Sequence, residues 1–208
     1  MKKKDDWYRN DRWSRAEEKK FLSRLGRCRG PAAKAQAARM KAAMLEASGD
    51  YPKIRAAIAL LKRILQLWRI DSDVALCHWQ MARCFVLLED LESALHQFQL
   101  ALDREREVPK YLTGAWSDFA QLVVTRKLRE SYGDVKKLLS EREKFFIFPS
   151  DRFVAHACRS MIAWENGFKA IARDEAEKAL AEVERPHENK GLALGLETLV
   201  ERLRKIAR

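Results

Sequence analysis

The chain has 208 residues, enough for one sizeable core or a short repeat array. It carries only 8 Gly and 5 Pro, which leaves few turns, and no run of about 18 apolar residues, which excludes a helical membrane span. The net charge of +11 belongs wholly to the first third: residues 1–70 hold 19 Lys and Arg against 7 Asp and Glu, while residues 71–208 are close to neutral.

Ala, Leu, Glu, Lys and Arg dominate, all good helix formers. No stretch alternates apolar and polar residues between Gly or Asn-Gly turns, as a strand would. The fold class read from this pattern is all-α.

Residues 1–13, MKKKDDWYRNDRW, form a basic lead without the apolar region of a secretory signal. This lead is expected to be partly flexible. Trp7, Tyr8 and Trp13 interrupt it, although disordered segments are usually poor in aromatics. The rings either fold back over the first helix pair or form a partner-binding motif.

Ser14 followed by Glu17 reads as a capping box that opens a helix with the stripe Phe21, Leu22 and Leu25. Gly26 and the Gly30-Pro31 pair are expected to end it. Lys19, Lys20, Arg24, Arg27, Arg29 and Lys34 gather along this helix and its exit loop. They read either as a solvated basic face or as a patch that attracts nucleic acid, an anionic membrane surface or an acidic protein.

Ala32 to Ala47 is alanine-rich and helical, with Gly49-Asp50 as the turn and Pro52 in the first turn of the next helix. That next helix presents Ile54, Ala57, Ile58, Leu61, Ile64, Leu65 and Trp68 as a broad apolar face. The pair looks like a degenerate repeat, with the register of its first helix left open.

Asp71-Ser72-Asp73 is read as the cap of the following helix, and residues 75–108 then form the most regular hairpin of the chain. Met81, Ala82 and Phe85 on one side of Glu89-Asp90, and Leu91, Ala94, Leu95, Phe98, Ala101 and Leu102 on the other, make two facing apolar stripes. His78, Met81, Ala82, Phe85, Ala94, Phe98 and Ala101 follow the spacing W-x2-L-G-x2-Y, then A-x3-F, and this segment resembles a tetratricopeptide repeat. It departs from the pattern at His78 for Trp, Ala82 for Gly and Arg106 for the usual proline.

Trp116, Phe119, Ala120 and Val123 repeat the first half of the pattern after Pro109, and a partner helix near 133–146 uses Val135, Leu138 and Leu139. FFIFPSD breaks at Pro149 and is expected to recap on Ser150 or Asp151. Val154, Ala157, Cys158 and Met161 read as a further repeat, with Asn166-Gly167 as its turn and Ala172, Ala176 and Ala179 on its second helix. Leu192, Leu196, Leu199, Leu203 and Ile206 line a closing helix over 190–207, the kind of half-polar cap that a repeat array needs.

The resemblance implies a right-handed α-solenoid over 14–208, read as a single domain. Its hairpins would lie at about 32–69, 72–105, 109–146 and 150–185, preceded by an N-terminal helix. It also implies that the first helix of each hairpin lines a concave groove for a protein or peptide partner. By position, Trp79, Arg83 and Val86 would face that groove, then Ser117, Gln121 and Val124, then Ala155, Arg159 and Ile162. Arg83 and Arg159 would occupy the same repeat position.

No GxSxG, HExxH, P-loop or GxGxxG motif occurs, and the four cysteines and four histidines show no metal-ligand spacing. The expectation is a cytoplasmic adaptor without catalysis, cofactor, metal or membrane insertion. Its partner is a protein, with an acidic segment as one candidate. The alternative is a nucleic-acid-binding protein in which the six basic residues neutralise phosphates while Trp7, Tyr8 and Trp13 stack on bases.

Overall fold

The computed structural model describes residues 7–183 and 197–208. Residues 1–6 of the lead, the end of the fourth hairpin and the first part of the closing helix, with Leu192 and Leu196, lie outside the described residues. The chain divides into two compact units, one up to Ala115 and one from Trp116. Among the described residues there are ten α-helices, two short 3-10 turns and no strand.

The first unit contains α1 (Arg15–Gly26), α2 (Gly30–Glu46), α3 (Tyr51–Leu67), α4 (Asp71–Leu87) and α5 (Leu91–Glu107). Ser14 caps α1 by accepting from Glu17 N at 3.2 Å. Gly30 and Pro31 do not end α1 but open α2, where the fixed φ of Pro31 suits the first turn. Likewise the side chains of Asp71, Ser72 and Asp73 do not cap α4. Ile70 holds the cap position, and Asp71 and Asp73 sit in the first turn, where negative charge meets the helix dipole. Helices α2 with α3 and α4 with α5 form two hairpins, and α4 packs on both α3 and α2. Phe98, Leu102, Met81, Ala82 and Ala94 are buried as the apolar stripes predict.

The aromatic lead folds back. Trp7 packs on Phe21 at 5.0 Å between ring centroids and Trp13 packs on it at 5.7 Å. Lys41, only 2% exposed, anchors the lead. Its three ammonium protons match three acceptors: Asn10 O and Asn10 Oδ1 at 2.8 Å and Arg12 O at 2.9 Å. Burial lowers the Lys41 pKa below its ordinary 10.5, against the pull of Glu17 and Asp11.

The second unit contains α6 (Ala115–Thr125) from its second residue, α7 (Tyr132–Arg142), α8 (Pro149–Glu165), α9 (Lys169–Val183) and α10 (Glu197–Ala207). Helix α8 begins at Pro149 with Phe148 in the cap position, two residues ahead of the expected Ser150 and three ahead of Asp151. Helices α8 and α9 form a hairpin, and α10 closes it by laying Leu199, Val200, Leu203 and Ile206 against it.

Four turns share one feature. Gly49, Glu89, Lys127 and Gly167 all have positive φ, from 55° to 80°. At three of them the next residue closes the preceding helix with a six-to-one bond: Asp90 N to Phe85 O, Leu128 N to Val123 O and Phe168 N to Ala163 O. These turns fix the register of the repeats. Counted from Glu89 and Gly167, His78 corresponds to His156, Ala82 to Ser160 and Ala94 to Ala172. The His pairs agree, since His78 Nδ1 donates to Gln97 Oε1 at 2.8 Å and His156 Nδ1 to Glu175 Oε2 at 2.7 Å. Ser160 Oγ donates to Ala172 O at 2.7 Å, so the small residues Ser160 and Ala172 meet in the second unit.

The register read from Val154, Ala157, Cys158 and Met161 is therefore two residues off. Arg159 corresponds to Met81, not to Arg83. The reason is that α8 is buried on several faces, so its sequence offers more than one apolar stripe.

Candidate functional site

Helices α2 and α4 border a cavity of about 440 Å³, lined by Arg39, Ala43, Glu46, Ala47, Gly49, Leu76, Trp79, Gln80, Arg83 and Leu87. The hollow follows from the residue types. Ala43, Ala47 and Gly49 are too small to fill the space opposite Trp79 and Leu87, and the volume falls in the range of ligand-binding clefts.

Trp79 forms one wall. The guanidinium of Arg83 lies 5.5 Å from its ring centroid, a cation–π distance. Gly114 lies against the ring, and any Cβ there would come within 2.7 Å of Trp79 Cζ2. Arg83 Nε also meets the buried Glu46 Oε1 at 2.8 Å, and Arg39 Nε meets Asp73 Oδ1 at 3.3 Å. The charges that line the groove are thus paired within the first unit.

Gln80 is different. It is 8% exposed, and its Nε2 is enclosed without a hydrogen-bond partner among the described residues. An unpaired buried amide costs about 1–3 kcal/mol. Gln80 lies between Cys77 and Cys84 on the helical stripe, where a folding sequence places an apolar residue. In the sequence Gln80 is a single polar residue on an otherwise apolar stripe. Glu46 and Arg39 were missed because the register of α2 was open.

No protein-family model, curated protein or solved structure matches the chain.

Of the residues expected in a groove, Trp79 and Arg83 line this cavity. Val86 is half-buried and does not. Gln121 and Arg159 belong to the second unit, where Gln121 Nε2 donates to Ser117 Oγ at 3.0 Å and Arg159 pairs with Glu143 at 3.1 Å. Val124, Ala155 and Ile162 are buried in that unit and are not groove-lining, because α6 and α8 turn those positions into the core.

Burial pushes Cys77 and Cys84, on the same helix, up to about 12. Thiols so placed stay protonated and unreactive. His78 is lowered by burial and engaged by Gln97. No group of three His, Cys, Asp or Glu side chains placed to hold a metal occurs among the described residues. Nor is any described helix long and apolar enough to cross a membrane.

The basic candidates separate in the structure. Lys20 and Arg24 line a second cavity of about 240 Å³ with Trp7, Arg12, Glu17 and Lys41. Arg24 lies 6.0 Å from the Trp7 ring, and Arg27 donates to Ser23 Oγ at 3.2 Å. Lys19, Arg27 and Arg29 are exposed, Lys34 is half-buried, and none of these four lines that cavity. Trp7, Tyr8 and Trp13 are half-buried and pack against the protein's own core.

Proposed function

We propose that this chain is a non-catalytic adaptor of the tetratricopeptide-repeat type, acting in the cytoplasm, whose first unit binds a segment of another protein in the groove between α2 and α4. The observation that carries this reading is the combination of Trp79 and Arg83 with a buried, unpartnered Gln80 around one cavity. Trp and Arg are the commonest anchors of protein interfaces. The repeated left-handed turns and the paired His78 and His156 support a repeat architecture built from one hairpin type.

The test is a pull-down from cell extract with Trp79→Ala and, separately, Arg83→Gln. Arg83→Glu is avoided, because a second carboxylate beside the buried Glu46 would perturb folding by itself. Loss of the same partner from both variants, with unchanged melting temperatures, supports the reading. Equal recovery by wild type and both variants refutes it.

A second reading places nucleic acid on the basic first third, favoured by Arg12, Lys20 and Arg24 around the smaller cavity. Phosphate contacts there would make affinity fall steeply with salt. Lys20→Glu with Arg24→Glu is the suitable perturbation, since deleting residues 1–31 would strip Trp7, Trp13 and Phe21 from the core. Absence of any mobility shift with DNA or RNA at low salt refutes this second reading.

A further inference from the structure

We infer that the occupant of the α2–α4 groove is an uncharged protein segment that presents an amide to Gln80, so that recognition runs through hydrogen bonds and apolar contact rather than through ion pairs. This inference rests on the groove reading above.

Charge complementarity argues for it first. Each guanidinium lining the groove already has a carboxylate, Arg83 with Glu46 at 2.8 Å and Arg39 with Asp73 at 3.3 Å. An entering carboxylate could reach only guanidinium edges whose charge Glu46 and Asp73 already balance, and it would lie beside those carboxylates with no net counter-charge to hold it. An entering ammonium would compete with Arg83 for a carboxylate that is scarcely accessible. A neutral group disturbs neither pair.

Hydrogen bonding argues for it next. Among the groove's polar side chains, Gln80 is the one with no described partner at all, and its amide offers both a donor and an acceptor. Its terminal torsion is broad and roughly two-fold, so either end can be turned toward the groove. A peptide bond, or an Asn or Gln side chain, is complementary to both ends. Trp79, Leu76 and Leu87 beside it suit an apolar side chain next to that amide.

The probe is a phage-displayed library of random twelve-residue peptides, selected on the immobilised full-length protein. The affinity of the selected peptide is then measured by fluorescence anisotropy at low and high salt. Gln80→Met keeps the volume and removes the amide. The expected result is an affinity about tenfold weaker for Gln80→Met. The melting temperature should be unchanged or higher, since an unpaired buried amide has been removed. Wild-type affinity should change less than about threefold with salt.

If Trp79→Ala abolishes binding while Gln80→Met does not alter it, the groove reading stands and this inference is overturned. Collapse of the affinity at high salt overturns it as well, as does a marked loss of thermal stability in Gln80→Met. Concentration-dependent self-association that Trp79→Ala removes would make a second copy of the chain the occupant and would also overturn it. If no peptide is selected, or if neither variant matters, both readings fall.

Discussion

Glu89 and Gly167 occupy corresponding turns with the same left-handed backbone, yet one carries a side chain and the other does not. For an L-residue this conformation costs about 1–2 kcal/mol. Replacing Glu89 by Gly removes that cost but adds about 0.4–1 kcal/mol of unfolded-state freedom. The Glu89 side chain pairs with no described residue, whereas Lys127 at the third turn bonds Glu165 at 2.9 Å, so Glu89 is the cleaner site. Glu89→Gly should therefore stabilise by about 0.5–1 kcal/mol. Gly167→Ala reverses the balance and should destabilise by a similar amount. A Cβ there meets nothing within 4 Å, so the cost is in the backbone alone. With urea slopes of about 1–3 kcal/mol/M, the two midpoints should move in opposite directions by a few tenths of a molar. Circular dichroism and tryptophan fluorescence followed together would check that both probes report one transition. A lowered midpoint for Glu89→Gly, or an unmoved one for Gly167→Ala, would refute the shared turn geometry and the repeat register built on it.

Phe98, fully buried in the α4–α5 hairpin, should cost about 3–5 kcal/mol when replaced by Ala, read from the same denaturation curves. Gly114→Ala would push on Trp79 and should cost about 1–3 kcal/mol while weakening partner capture, measured by calorimetry and pull-down. Lys127 and Arg129 hold Glu165 below 4.5; for Glu175, burial raises the carboxyl, but the bond to His156 and the surrounding cations outweigh it. Because these folded values are depressed, the unfolded chain binds more protons just below pH 4.5, and stability falls with pH through that window. Glu175→Gln should flatten this acid limb in a pH series of melting temperatures. His78, lowered below 6.5 by burial, adds a loss that begins as pH falls beneath 6.5, and His78→Gln should remove it.

The helical class and the central hairpin were legible because α5 is buried along one stripe, so that Ala94, Phe98 and Ala101 have a single possible register. Helix α8 defeated the same reasoning. It buries nine residues, from Phe153 to Ala163, and only the left-handed Gly167 at its end fixes where the repeat begins. Helix α2 was obscure for the opposite reason: its alanines make a weak stripe, and its turn into α3, Ala47 to Asp50, is one residue longer than that between α4 and α5. With α2 unplaced, Glu46 and Arg39 could not be brought to Trp79. The site was thus half legible. Trp79 and Arg83 came from their repeat positions, while Gln80 was hidden by its place on an apolar stripe.

The most direct measurement is a nitrogen-15 spectrum of the full-length protein titrated with the selected peptide. The account predicts that the Trp79 indole N–H and the Gln80 side-chain amide move first and furthest, with the backbone amides of Ala43, Glu46 and Arg83 following. Shifts confined to Trp7, Lys20 and Arg24, with the Trp79 and Gln80 signals unmoved, would contradict it.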